Sequence, residues 1–119
     1  RIEVEIGGKK RGFWFGLGFL GNLLDELGIE IDGILEQLNK NPFKMIPQII
    51  YHSTKYHSER TGEEDDFTFY DVTDWIEEIG YDDERVSTLL AAFTRSMTKD
   101  VPETQLKEYK KYALTVKGT

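Results

Sequence analysis

Sixteen residues near the N-terminus, residues 11–26, restrict the possible folds of this chain more than any other segment. Three glycines within them stand at the spacing Gly-x-Gly-x-x-Gly, namely Gly16, Gly18 and Gly21. Where a strand turns into a helix, that spacing is typical of a dinucleotide-binding loop. The same apolar run follows two lysines and an arginine, as the core of a secretion signal would. In a purely structural interpretation, Gly18 and Gly21 let bulky neighbours approach the helix backbone closely.

A β-hairpin is predicted ahead of the glycines. Residues 2–6 alternate apolar and charged side chains, which is typical of a half-buried strand. A Gly-Gly pair then provides a two-residue turn signal, and residues 9–15 follow as the return strand. On that strand Phe13 and Phe15 share one face, and Trp14 points to the other.

The antiparallel hairpin argues against a dinucleotide-binding fold, which needs a parallel strand–helix–strand unit. After the first helix the only candidate strand is residues 29–31, three residues long. A secretion signal is disfavoured because Asp25 and Glu26 stand where a small-x-small cleavage site would follow. The apolar run is also far shorter than the ~20 residues that span a bilayer. We therefore expect a soluble cytoplasmic protein that does not enter a membrane.

Apolar periodicity predicts that the rest of the chain is helical. The expected helices cover residues 17–27, a short stretch from 32 or 33, about 43 or 47 to about 59, 69–79, the segment after Asp82 or Asp83, and a last segment from Pro102. In the first helix the apolar stripe consists of Leu17, Leu20, Leu24 and Leu27, widened by Phe19 and Leu23. Pro47 is expected in a first turn, because proline lacks the backbone donor that an interior turn needs.

The predicted fold class is mainly α, of the α+β type. It is a small helical domain of four to six helices with an N-terminal antiparallel β-hairpin. Residues 1–98 form the hairpin and the helical domain, and residues 99–119 form a basic C-terminal helical extension of the same domain. The helix from residue 69 has the clearest start, with Thr68 as N-cap and Asp71 as its partner in a shortened capping box.

Charge is unevenly distributed along the chain, which has a net charge of −7. Residues 1–62 hold 8 basic and 8 acidic side chains, residues 63–98 hold 2 and 11, and residues 99–119 hold 5 and 3. The acidic middle would repel a phosphate backbone, so no nucleic-acid partner is expected. A basic end and an acidic middle can attract each other between copies, which favours self-association.

No arrangement of residues points to catalysis, a cofactor or a metal ion. The chain has no cysteine, and no serine stands in a nucleophile elbow. His52 and His57 are five apart, so on a helix they point about 140° from each other and cannot act as an i, i+4 ligand pair. His57 is expected to be half-buried and His52 to lie on the surface. The four acids at 63–66 lack the ligand spacing and the central glycine of a calcium loop.

The hairpin face that carries Trp14 is a candidate contact surface. Val4, and either Ile2 or Ile6 depending on register, would share that face. No cover for it is evident in the sequence, and an uncovered apolar face suggests a partner or self-association. The alternative is that a helix of the same domain covers it.

Two segments, residues 15–29 and 67–79, carry a family resemblance. The first joins an aromatic-glycine pair to a Leu-rich helix that ends Glu-Leu-Gly-Ile, and the second begins Phe-Thr-Phe-Tyr-Asp-Val-Thr-Asp-Trp-Ile. Between them Pro-Gln-Ile-Ile-Tyr, at residues 47–51, opens a helix that leads to an acidic loop. In this order, over roughly residues 2–98, the chain resembles the small tail assembly chaperones of long-tailed bacteriophages.

The resemblance implies a non-enzymatic protein that binds the long, helical tape measure protein in the host cell cytoplasm. Such a protein helps to gather tail tube protein around its client, is absent from the mature virion, and is often made in two lengths by a ribosomal frameshift. The candidate surface contacts for a partner are apolar: Trp14, Phe19, Leu23, Tyr51 and Met97. Two other functions stay open: a structural virion protein, such as a head–tail connector or tail-completion protein, and an enzyme or nucleotide-binding domain that uses the glycine loop.

Overall fold

An antiparallel hairpin followed by five α-helices makes up residues 1–98, the part of the chain that the computed structural model describes. The strands are β1, Ile2–Ile6, and β2, Lys9–Phe13. The helices are α1, Leu17–Leu27; α2, Ile34–Lys40; α3, Pro42–Thr61; α4, Phe69–Ile79; and α5, Glu84–Met97. A 3₁₀ turn, Ile31–Gly33, leads into α2. The predicted fold class is confirmed, whereas the expected helix from Pro102 and the extension 99–119 lie outside the described residues.

The hairpin is shorter than predicted because β1 supplies only five partners. Ile2 pairs with Phe13 at the open end, and the two turn glycines adopt φ angles of 64° and 86°, which side-chain-bearing residues rarely adopt. Beyond Phe13 no residue of β1 remains to pair with. The backbone N–H of Trp14 instead donates to the carbonyl of Ser53 on α3, at 3.1 Å. The predicted return strand 9–15 therefore ends at residue 13, where the chain leaves the ladder for the helices.

The register also corrects the predicted faces of the hairpin. Cross-strand partners point to the same side of a sheet, so Ile2, Val4 and Ile6 share the side of Phe13. Ile6 and Phe13 are buried there, and Ile2 and Val4 pack against the same core. The apolar face expected for Trp14 together with Val4 therefore does not exist.

Helix α1 is rotated relative to the predicted stripe. Leu17 is 88% exposed, whereas Phe19 and Leu23 are at most 1% exposed and belong to the core. Phe19 packs edge-on against Phe15 at 5.2 Å and against Phe93 of α5 at 5.9 Å between ring centroids. Phe19 and Leu23 are thus interior residues and not the surface contacts that the sequence suggested. Their face of α1 packs against the aromatic cluster formed by the hairpin exit and α5.

Helix α3, twenty residues long, is the central element and packs against β2, α1, α2, α4 and α5. Pro47 lies in its second turn rather than in a first turn, contrary to prediction. A proline there leaves the carbonyl of Phe43, four residues earlier, without its helical donor. The hydroxyl of Tyr81 donates to that carbonyl over a long 3.4 Å, so a side chain from another part of the fold replaces the missing N–H.

The predicted start of α4 is confirmed in detail. The Thr68 hydroxyl accepts from the backbone N–H of Asp71 at 3.2 Å, and the Asp71 carboxylate accepts from the backbone N–H of Thr68 at 2.8 Å. Asp83 caps α5 by accepting from the N–H of Arg85 at 2.8 Å. These caps satisfy donors that the first turn of a helix leaves unpaired, so local sequence sets where α4 and α5 begin.

Candidate partner-binding surfaces

Aromatic side chains gather in two regions beside α3. We call the first the arginine-covered region: Trp14, Tyr56, Phe67 and Trp75, with Arg1, Arg11 and Arg60 over their rings. We call the second the aromatic seam, which follows the line where α4 packs on α3: Phe43, Tyr51, Phe69, Tyr70 and Tyr81. The two regions contain similar rings but differ in what covers them.

Trp14 is the sequence-predicted contact residue of the arginine-covered region, and the chain itself covers much of its ring. Tyr56 meets it edge-on at 5.7 Å. The guanidinium groups of Arg1 and Arg60 lie 4.4 and 4.5 Å from its centroid. Arg60 also donates to the Tyr56 hydroxyl at 2.9 Å, which holds the guanidinium over the rings. Trp14 is half-buried, so its indole is largely occupied by contacts within the chain.

Arg11 ties the hairpin turn to the loop before α4. Its side chain is only 9% exposed, and the guanidinium lies 4.1 Å over Trp75. It donates to three acceptors: the carbonyl of Ile6 at 2.9 Å, the carbonyl of Gly7 at 2.8 Å and the carboxylate of Asp66 at 2.9 Å. A planar guanidinium can satisfy several acceptors while stacking on a ring, which an ammonium cannot do.

Ion pairs with lysine and arginine side chains also hold the acidic loop. Asp66 accepts from Lys9 at 3.0 Å as well as from Arg11, and Lys55 pairs with Asp65 at 2.7 Å. The hydrogen bonds from Lys9 and then Arg11 lower the pKa of the Asp66 carboxyl from 3.8 to about 2. Asp66 thus stays ionised well into the acid range and fastens the loop to β2.

The glycine spacing of residues 16–21 has a packing explanation for Gly18 but not for Gly21. A Cβ atom on Gly18 would overlap the ring of Tyr56, whereas one on Gly21 would meet open space. The expectation that both glycines admit close neighbours is therefore wrong for Gly21. In residues 1–98 the sheet consists of two antiparallel strands, so the backbone at these glycines is not part of a parallel strand–helix–strand unit.

The two histidines occupy different environments. His57 is 6% exposed, more deeply buried than expected, and its imidazole lies where a Cβ on Gly12 would be. His52, which was expected on the surface, is half-buried and meets Tyr51 edge-on at 5.1 Å, and burial lowers its pKa. Among residues 1–98 there is no group of three or more side chains of the metal-ligating types that could hold a metal ion.

The aromatic seam is open to solvent at both ends. Tyr51 meets Phe69 edge-on at 5.6 Å, and Phe69 meets Tyr70 at 5.9 Å. Phe43 meets Tyr81 at 4.7 Å. Because α4 begins beside Tyr51 and the chain reaches Phe43 just after α4 ends, the two groups of rings lie at opposite ends of the seam. Tyr70 is 76% exposed and Phe43 is 71% exposed, so each end of the seam presents one open ring to solvent.

Acidic side chains border the seam on the α4 side. Helix α4 contains four acids and no lysine or arginine. Three of the acids are exposed: Asp74 and Glu77 on its outer face, and Glu78 on the side towards Arg85. Burial, and after it the carboxylate of Glu77, raises the pKa of the Tyr81 hydroxyl, which places this acid near one end of the seam. The seam therefore combines exposed aromatic rings with a negative border.

Of the five sequence-predicted contact residues, only Tyr51 lies in the seam. Met97 is half-buried and packs against the core, and Phe19 and Leu23 are interior. Phe43 and Tyr70 were not predicted, although the sequence held a signal for Tyr70. On an ideal helix it lies about 140° from the direction of the buried Val72 and Ile76, which places it on the outer face.

None of the helices within residues 1–98 is both long enough and apolar enough to cross a membrane. Comparisons of the chain with models of protein families, with curated proteins and with solved structures gave no match.

Proposed function

We propose that this chain is a tail assembly chaperone of a long-tailed bacteriophage. It binds the tape measure protein and promotes assembly of the tail tube protein around it, by protein–protein contact without catalysis. It acts in the host cell cytoplasm and is not retained in the mature virion. The proposal starts from the resemblance of residues 15–29 and 67–79 to that family, and the second of these segments includes α4, one side of the aromatic seam.

The observation that carries the proposal is the exposure of large aromatic rings on an acidic helical surface. Phe43 and Tyr70 are more than two-thirds exposed, while the interior of the fold is well filled with apolar side chains. Apolar side chains that are open to solvent can receive the apolar face of a partner helix. It also needs net charge to stay dispersed, and residues 63–98 supply 11 acids against 2 bases.

The proposal is tested by co-expressing the full chain with a tape measure protein. We expect the tape measure protein, insoluble when expressed alone, to become soluble and to co-purify with this chain. Failure to form a complex, under conditions where circular dichroism shows this chain to be folded, would contradict the chaperone function.

A structural virion protein, such as a head–tail connector or tail-completion protein, is the competing function. Mass spectrometry of purified virions separates the two, because a chaperone is absent from finished particles and a connector is present at fixed stoichiometry. Detection of a fixed number of copies per virion, as one or a few rings of subunits would contain, would replace the chaperone proposal with the structural one.

Sedimentation of the purified chain measures the self-association that the charge distribution favours.

A further inference from the structure

We infer that the aromatic seam binds a basic amphipathic helix of a partner protein. This helix inserts two apolar side chains about seven residues apart, one at each end of the seam. The inference rests on the proposed function, since the tape measure protein would supply the helix. It goes further by naming the surface and the chemistry of the segment that this surface selects.

The spacing of the two ends sets the spacing of the inserted side chains. Phe43 and Tyr51 stand eight residues apart on α3, which corresponds to about 12 Å along the helix axis. On a bound helix, residues seven apart are about 10.5 Å apart and lie within about 20° of the same direction. One apolar side chain can therefore reach Phe43 and Tyr81 while the other reaches Tyr51, Phe69 and Tyr70.

The residue that lies between the two ends on α3 is buried and presents no side chain to a partner. Phe43, Pro47 and Tyr51 follow one another at intervals of four, so they form a single ridge on α3. Pro47, in the middle of the ridge, is buried, whereas Phe43 before it is 71% exposed and Tyr51 after it is half-buried. A partner that inserts side chains only at the two ends meets this shape, and a uniformly bulky apolar strip does not.

The border of the seam selects the charge of the partner. Asp74 and Glu77 are exposed on α4, which itself contains no lysine or arginine. Lysine or arginine next to the inserted apolar side chains would meet these carboxylates, and acidic residues there would be repelled. The seam of a second copy would present the same acids, so charge disfavours seam-to-seam pairing of two copies.

Synthetic helices test the selectivity directly with the full chain. The first peptide carries two leucines seven residues apart on one face and lysines beside them. The second has glutamates in place of the lysines, and the third has one leucine moved to the opposite face. We expect the first to bind at least about tenfold more tightly than either of the others, and its affinity to fall as salt is raised. Equal affinities would overturn the inference.

Substitutions in the chain locate the binding. Phe43→Ala and Tyr70→Ala remove exposed rings, and each is expected to weaken binding of the first peptide about tenfold. Replacing both Asp74 and Glu77 by lysine is expected to reduce the preference for the basic peptide to less than about twofold. Leu17→Ala, also an exposed apolar residue, and Asp25→Lys on α1 are matched controls that leave binding unchanged. Circular dichroism checks that each variant is folded.

The two proposals fail in different ways. If the tape measure protein co-purifies equally with wild type and with Phe43→Ala and Tyr70→Ala, the chaperone function stands and the seam is not its site. If the tape measure protein never co-purifies while the basic peptide binds the seam, the tail assembly function is wrong. If these substitutions abolish only self-association of the full chain, the seam belongs to a second copy and the inference is overturned.

Discussion

The arginine-covered region and the aromatic seam are built from similar residues and differ in their cover. Around Trp14 and Trp75, guanidinium groups of the same chain lie 4.1–4.5 Å from the rings. On the α4 side of the seam the flanking charges are acidic, and Phe43 and Tyr70 face solvent. Aromatic rings thus serve the fold where guanidinium groups of the chain cover them, and they are candidate binding elements where they stay open to solvent.

The difference follows from where the charges stand in the chain. The three arginines that cover rings come from residues 1–62, where bases and acids are equal in number. Helix α4, by contrast, has only acids. A carboxylate gains nothing from the negative face of a ring, whereas a guanidinium does. Substitutions in the two regions should therefore separate stability from binding.

The largest effect is expected in the interior cluster next to the arginine-covered region. Phe19→Ala should lower the free energy of unfolding by about 3–5 kcal/mol, because it empties a fully packed aromatic site. Leu17→Ala on the same helix, at an 88% exposed position, should change it by less than about 0.5 kcal/mol. Urea denaturation followed by circular dichroism measures both. Similar losses would mean that α1 buries the leucine face predicted from sequence.

Arg11→Met tests whether the arginine-covered region is structural. The substitution removes the stacking on Trp75 and three hydrogen bonds of a nearly buried guanidinium. We expect a loss of about 2–3 kcal/mol in the free energy of unfolding. Lys10→Met, at an exposed position on the same strand, is the matched control and should be nearly neutral. A neutral Arg11→Met would mean that the guanidinium adds nothing to the fold.

Asp66→Asn should have a smaller effect, because Asp66 is only one of the partners of Arg11. Its folded-state pKa is lowered from 3.8 to about 2, so the ion pairs stabilise the fold above the ordinary pKa. That stabilisation is lost as the pH falls from about 4 towards about 2. Thermal denaturation at a series of pH values should show a shallower decline for Asp66→Asn than for wild type across this window. Leu17→Ala, which changes no titratable group at an exposed position, should keep the wild-type slope.

The smallest effect is expected at the seam itself. Tyr81→Phe removes the hydroxyl that donates to the Phe43 carbonyl in place of the N–H that Pro47 lacks. This hydrogen bond is long, at 3.4 Å, and exposed to solvent. The expected loss is about 0.5–1 kcal/mol in the free energy of unfolding. In a Pro47→Ala background the helical N–H is restored to the Phe43 carbonyl, so Tyr81→Phe should then be nearly neutral. Equal losses in both backgrounds would show that the hydroxyl does not serve this carbonyl.

Local features of the fold were predictable where neighbouring residues alone decide them. The Gly-Gly turn, the capping box of Thr68 and Asp71, and the cap of α5, predicted at Asp82 or Asp83 and found at Asp83, all depend on residues within a few positions of each other. Features that depend on partners from distant segments were not. The end of β2 at Phe13 follows from the length of β1 and from the carbonyl of Ser53 on α3.

The candidate site was less predictable than the fold. The sequence predicted Trp14 as a contact residue because no cover for an aromatic residue on a short hairpin was evident. Its cover comes from Arg1, just before β1, and from Arg60, near the end of α3. Phe43 is the reverse case: an exposed ring in a segment whose sequence suggests burial. It stands in the first turn of a helix with an apolar face, and only the packing of α4 shows that this ring stays outside the core.

The sequence by itself determined the class of this protein: helices from apolar periodicity, a hairpin from alternation and paired glycines, and an acidic surface from the charges of residues 63–98. These properties are set by short-range geometry and by composition. Only the tertiary structure decided which rings are covered, which face of α1 is buried, and how Pro47 is accommodated within α3. Each of these depends on contacts between residues far apart in the chain, and the spacing of residues along one segment does not specify them.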